Sequence, residues 1–265
     1  MPAFICQACG TQFAPSEQPP PACPVCDDER QYVPHDTGQR WTTLEDLGRE
    51  HHNRVAPEHD LTAVGTEPRF AIGQRALVVP WGTRCLLWDC VTLVDDATAA
   101  AVGALQAIAI SHPHYYSGMV EWAHRFGCPV YLHADDARWI MRPDPAVELW
   151  HGERKELGDG LTLVRLGGHF AGGTVLHWAG GAGGRGALLS GDIVQVVPDR
   201  THVAFMYSYP NLIPLPVATV GRMAAALEPY AFEDLYGAWW DSVIAGGAKD
   251  VVRRSALRYA RAIEG

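Results

Sequence analysis

The sequence predicts an α/β fold: a layered domain of alternating strands and helices, preceded by a small four-cysteine ribbon. Three observations carry this. Four of the seven cysteines fall in the first 26 residues, as Cys6, Cys9, Cys23 and Cys26. From Arg69 onward, short apolar runs alternate with amphipathic ones, as stacked sheets and helices require. A composition of 48% hydrophobic and 19% charged residues over 265 positions supports a substantial core. The formal charge of −9, from 21 Lys+Arg against 30 Asp+Glu, disfavours nucleic acid and anionic membrane surfaces as partners. No apolar run reaches the roughly 18–20 residues that cross a bilayer. The opening Met1-Pro2-Ala3-Phe4-Ile5-Cys6 lacks the basic-then-apolar order of a signal peptide. A cytoplasmic protein with reduced thiols is expected.

Cys6-Gln7-Ala8-Cys9-Gly10 and Cys23-Pro24-Val25-Cys26 are two C-x2-C knuckles separated by 13 residues. Each knuckle can offer two thiolates to one ion, and two knuckles complete a tetrahedron. The Pro- and Gln-rich segment between them cannot bury a core of its own, so a metal is its natural staple. The pattern resembles zinc ribbons and rubredoxins. Zinc is expected here; iron is the rubredoxin alternative. Cys85, Cys90 and Cys128 read as small buried apolar residues.

Residues 1–35 are assigned to the ribbon, 36–68 to a polar linker and 69–265 to the main domain. In the linker, Thr42 or Thr43 ahead of Glu45, Asp46 and Leu47 signals a short helix, and His35, His51, His52 and His59 read as solvated loop residues. Strands over 75–79 and 84–94 flank Pro80-Trp81-Gly82-Thr83, a hairpin signal. Asp95-Asp96 caps a helix running to 105, and the apolar run 107–110 follows as a strand. A helix is expected over 118–126, a strand over 130–132 and a helix near 134–141. Further strands are expected over 161–166, 174–178, 187–190 and 193–197, with late helices over 217–227 and 250–263. Gly180–Gly186 reads as a flexible turn between strands.

The chemistry sits at strand exits. Ser111-His112-Pro113-His114 follows the strand 107–110, and two imidazoles at i and i+2 can converge where the backbone turns. Gly167-Gly168-His169-Phe170-Ala171-Gly172-Gly173 is a glycine-rich turn around a third, and Ser190-Gly191-Asp192 ends another apolar strand on a carboxylate. Three imidazoles and one carboxylate form a plausible ligand set for one Zn²⁺ or Fe²⁺. No glycine-rich phosphate loop followed by lysine and no G-x-S-x-G elbow is present.

Over residues 69–245 these motifs, taken in order, resemble the metallo-β-lactamase-fold superfamily, which implies a four-layer αββα sandwich with its site at one rim. Asp89 is similar to the family's hairpin aspartate, which orders the site without binding metal. His112 and His114 match the start of its H-x-H-x-D-H run, His169 its G-H histidine and Asp192 its S-G-D aspartate. The chain departs from the pattern at Tyr116, which stands for the run's aspartate, and at Ser117, which stands for its last histidine. Ala238 or Trp239 stands where a late histidine is expected. The resemblance therefore implies a divergent member holding one ion at most in the main site.

Three functions follow as expectations. The leading one is a mononuclear hydrolase of a small ester, lactone or thioester-like substrate. In it Asp192 also steers water, and Tyr116 donates to a developing oxyanion or merely plugs the vacated second site. The second is a mononuclear iron oxygenase resembling persulfide dioxygenases, through His112 or His114, His169 and Asp192. The third is a non-catalytic binding module with a degenerate site. Met206–Asn211 and Trp239-Trp240 offer aromatic walls for a small-molecule substrate. Nothing in the sequence sets the oligomeric state.

Overall fold

Residues 52–150 thread one seven-stranded sheet in strict chain order: β1 (His52–Glu58), β2 (Leu61–Glu67), β3 (Arg75–Trp81), β4 (Arg84–Trp88), β5 (Leu105–Ala109), β6 (Val130–His133) and β7 (Val147–Trp150). The first four strands pair antiparallel through tight connections. The last three pairings are parallel. Parallel neighbours need long crossovers, and helices supply two of them, α2 (Asp96–Val102) and α3 (Met119–Phe126). A second, six-stranded sheet also follows chain order: β8 (Arg154–Gly158), β9 (Leu161–Arg165), β10 (Thr174–Trp178), β11 (Ala187–Gly191), β12 (Asp234–Gly237) and β13 (Val243–Ile244). Here only β11 and β12 are parallel, and α4 (Val217–Leu227) lies between them in sequence. The chain closes with α5 (Ala248–Glu264). This computed structural model describes residues 1–264.

The layers follow from which face each strand buries. Leu77, Leu86 and Trp88 of the first sheet meet Leu163, Leu176, Leu189 and Tyr236 of the second. Val220, Met223, Leu227, Val251 and Val252 of α4 and α5 cover the outer face of the second sheet. Val102, Val120, Trp122 and Ala123 of α2 and α3 cover the outer face of the first. The result is the four-layer αββα metallo-β-lactamase fold. Each large apolar side chain buried this way contributes on the order of 1.5–3 kcal/mol. No helix among the described residues is long and apolar enough to cross a membrane.

The ribbon is joined to this core. Its only strand pair couples Ile5–Cys6 to Trp41–Thr42, and its only helix is Pro24–Asp27. All four cysteines belong to the same buried cluster as Ile110, Tyr116, Trp139 and Phe170 of the main domain.

Several expectations are corrected. Residues 36–68 are not a linker: Trp41–Thr42 completes the ribbon, the expected helix forms as α1 (Leu44–Glu50) behind its Thr43 cap, and β1 and β2 open the larger sheet. β1 is an edge strand with polar residues at most positions, and that polarity hid it. Of the loop histidines in this stretch, His59 is held 3.0 Å from the buried Asp234 carboxylate. The strand expected over 84–94 stops at Trp88, because Asp89 turns the chain with φ +61°. The run 193–197 keeps only Gln195–Val196 as strand, since Ile193 N donates to the Ser190 carbonyl and turns the chain out of the sheet. Residues 134–139 form a 3-10 turn rather than an α-helix.

Candidate metal centre

The ribbon sulfurs converge. Cys6 Sγ lies 3.6 Å from Cys26 Sγ, and Cys9 Sγ lies 3.7 Å from Cys23 Sγ. A tetrahedral zinc with bonds of about 2.3 Å spaces its thiolates by about 3.8 Å, whereas a disulfide needs about 2.05 Å. All four are free and buried, and Gln39 Nε2 donates to Cys6 Sγ at 3.2 Å. The site fits one tetrahedral ion.

The second cluster gathers His112, His114, His169 and Asp192, whose ligand atoms all lie within 4.8 Å of one another. Three strand ends bring them there. Beyond β5 the chain makes a 3-10 turn, Pro113–Tyr115, with His112 at its N-cap and His114 inside it. The turn between β9 and β10 carries His169. β11 ends on Gly191, whose φ is +55° and where a Cβ would sit 2.6 Å from Ser111 Oγ. Only glycine allows Asp192 to approach the histidine turn so closely.

The supports are specific. Asp89 Oδ1 accepts from Ser111 N at 2.8 Å, and Ser111 Oγ lies 2.9 Å from His112 Nδ1. His169 Nδ1 donates to the Tyr207 carbonyl at 2.7 Å, and Tyr209 OH donates to the Asp192 carbonyl at 2.7 Å. These contacts fix the His112 and His169 imidazoles with their other nitrogens facing inward. His112 Nε2 then lies 3.0 Å from Asp192 Oδ1, and His169 Nε2 lies 3.4 Å from His114 Nδ1. Yet neither His112 Nε2 nor Asp192 Oδ1 makes a hydrogen bond, although both are cut off from solvent. Unpaired buried polar atoms are costly. A four-coordinate zinc with bonds of about 2.0–2.1 Å spaces its ligands by about 3.3 Å, so one ion satisfies all four.

Electrostatics agree. Burial pushes the Asp192 carboxyl up to about 7, and the Asp89 charge adds to the effect. Burial lowers His169 to about 4 and drives His112 and His114 well below the ordinary imidazole value, helped by neighbouring imidazoles and by Arg30. The cluster therefore prefers to be neutral by itself, and a divalent cation restores the carboxylate.

The phenol nearest the ligands is Tyr115, not Tyr116. Tyr115 closes the 3-10 turn that His112 opens, and its ring meets His112 edge-on with ring centroids 4.3 Å apart. Its hydroxyl is buried near Asp192 without a hydrogen bond, and burial followed by the Asp192 charge raises its pKa well above the usual phenol. Tyr116 packs in the core shared with the ribbon. Ser117 Oγ accepts from Gln74 Nε2 at 2.9 Å, and Ala238 is a buried methyl in that same core. Of the expected aromatic walls, the Tyr209 ring lies 5.4 Å from that of His169, while Tyr207 meets His169 only through its backbone carbonyl and turns its ring to Arg30. Trp239 instead donates to the Ile72 carbonyl at 3.3 Å, and Trp240 lies under Arg54.

Beneath the His169 turn, Asp136 Oδ1 accepts from Gly172 N at 3.0 Å, and burial raises its carboxyl to about 6. A raised folded-state value for an acid is a penalty absent below the unfolded value near 4 and complete above the folded one. Asp136→Asn keeps the acceptor and removes the charge. It is expected to stabilise the chain by about 1–3 kcal/mol at pH 8 and by almost nothing at pH 4, measured by urea unfolding at both pH values.

No family model matches the chain. The uncharacterized protein YmaE of Bacillus subtilis (strain 168) is 48% identical over 269 residues, which cover 99% of this chain and 97% of YmaE. The fold is similar to that of the metallo-β-lactamase FIM-1 from Pseudomonas aeruginosa in its mono-zinc form, with a TM-score of 0.56 at 14% identity over 78% of this chain and 96% of that one. A metallo-β-lactamase from Hirschia baltica superposes with a TM-score of 0.53 at 16% identity, over 78% and 97% of the two chains.

Proposed function

This chain belongs to the same family as YmaE and carries the metallo-β-lactamase fold, and from that premise we propose that it is a mononuclear metal-dependent hydrolase. One observation carries the reading: His112 Nε2 and Asp192 Oδ1 face each other at 3.0 Å, buried and without hydrogen bonds, inside a ring of two further imidazoles. Similarity to metallo-β-lactamases supports hydrolysis, and FIM-1 in its mono-zinc form offers a one-ion precedent on this fold. The residues expected at a second ion point instead to one ion, since Ser117 is bound to Gln74 and Ala238 is a methyl.

When bound, a divalent ion here supplies Lewis-acid polarisation of a carbonyl and acidifies a water. The chain supplies the rest. Asp89 and Ser111 hold the His112 turn, and the Tyr207 carbonyl holds His169. The Tyr115 hydroxyl, protonated at neutral pH, is the donor placed beside Asp192 for a developing oxyanion. A small ester, lactone or thioester is the substrate class this chemistry serves.

The test is elemental analysis of the purified chain together with initial rates on ester, lactone and thioester panels. We expect two ions per chain and turnover on one panel, with Tyr115→Phe losing kcat about tenfold or more and Tyr116→Phe much less. A fully loaded chain inert on every panel overturns the proposal. Oxygen uptake with glutathione persulfide and iron in the centre would move it to the oxygenase class.

A further inference from the structure

The four ligands of the centre are only 0–5% exposed, and part of what covers them comes from the ribbon. Directly after Pro24–Asp27, the segment Asp28–Gln31 lies against the His169 turn. Arg30 is buried to 7% exposure, and its Nη1 donates to the His169 carbonyl at 3.0 Å. Its guanidinium carbon sits 3.9 Å from the centroid of Phe170, whose ring lies 4.9–5.4 Å from all three histidine rings. Asp28 clamps the same guanidinium through Nε at 2.6 Å and Nη2 at 2.8 Å. The Glu29 carbonyl accepts from Ser208 Oγ at 2.5 Å and Asn211 Nδ2 at 2.7 Å, which ties the segment to the loop holding His169.

Two features make this cover conditional. It is polar, a buried charge and a few hydrogen bonds, and no helix or strand occurs between Asp28 and Arg40. Its anchor is a ribbon with one four-residue helix and one two-residue strand pair. With so little secondary structure of its own, such a piece depends on the ion its thiolates share to hold its shape.

We propose that Asp28–Gln31 is a metal-dependent gate on exchange of the ion at the His–Asp centre: with the four cysteines holding their ion Arg30 is seated and the centre retains its own ion, and loss of the ribbon ion lifts the segment and lets the centre's ion leave. The gate rests on the hydrolase reading for its purpose but not for its test. The full chain is loaded with cobalt(II) at both sites, whose thiolate and imidazole bands separate in the visible spectrum. Capture of the imidazole-bound ion by dipicolinate is then timed in the parent, in Arg30→Ala and in Cys23→Ser. At least tenfold faster capture in both variants is expected. Unchanged rates overturn the gate. Protection of β5 amides against hydrogen exchange reports whether Cys23→Ser keeps its fold, and if it does not, Arg30→Ala decides alone. Faster capture without turnover on any panel keeps the gate and removes the hydrolase; turnover with unchanged capture removes the gate alone.

Discussion

Replacing His112 and His169 together by alanine is expected to reduce the chain from two bound ions to one while leaving the ribbon ion in place. The expectation follows from the ligand count. Four ligands enclose the centre, and two methyls leave an imidazole and a carboxylate, too few to hold a divalent ion against water. Asp192 then loses the cation that keeps it ionised, and burial returns it toward its neutral form near pH 7. Turnover, if the centre is the catalyst, falls by about 10³-fold or more, since Lewis-acid catalysis goes with the ion. Elemental analysis and the cobalt thiolate bands check the stoichiometry site by site. Retention of both ions would show that the imidazoles are not ligands. Ser111→Ala is the graded companion. It removes only the hydroxyl at His112 Nδ1, and such outer contacts cost about 10–100-fold in metal affinity.

Much of this centre was legible in the sequence for a physical reason. Ligands placed immediately after apolar strands announce themselves through the strands, and His112, His114, His169 and Asp192 all stand there. The knuckles were legible because C-x2-C spacing is itself the geometry. Tyr115 escaped because residue-by-residue matching to a family motif ignores the 3-10 turn, which sets the ring at position 115 against His112. The β1–β2 hairpin escaped because an edge strand has little need of apolar alternation. Arg30 and Arg75 escaped for another reason. Their partners lie 139 and 162 residues away, at the His169 and Gly237 carbonyls. A lone arginine carries no local pattern that reveals such a partner.

Arg75 is where that gap has its largest consequence for stability. It opens β3 in the first sheet, and its Nη1 donates at 2.6 Å to the Gly237 carbonyl at the end of β12 in the second. Its own backbone N donates to the Ala238 carbonyl at 2.9 Å. The side chain thus bolts the two sheets together beside the position where the resemblance expected a late histidine. Only 1% of the residue is exposed, and Nη2 lies 3.6 Å from Glu58 Oε1. Burial lowers the Arg75 pKa, while Glu58 and then Asp89 hold the guanidinium charged. In return, Arg75 opposes the rise of Asp89, which burial pushes up to about 7. Arg75→Met fills most of the volume but leaves Glu58 and Asp89 without their cation. Removing one partner of a buried pair costs about 3–5 kcal/mol, and the urea midpoint of the metal-loaded chain should fall accordingly. The pair itself is worth less than its breakage, because desolvation offsets its attraction. Arg75→Met/Glu58→Leu is therefore expected to recover most of the loss. The remainder combines Asp89, the one carboxylate the double variant leaves uncompensated, with the Gly237 carbonyl and the Asp241 N–H, which lose Arg75 and Glu58 as partners. Because Asp89 Oδ1 positions Ser111, the Asp89 share should appear as weaker metal retention at His112. A single variant as stable as the parent would show that the sheets are held together without this charge.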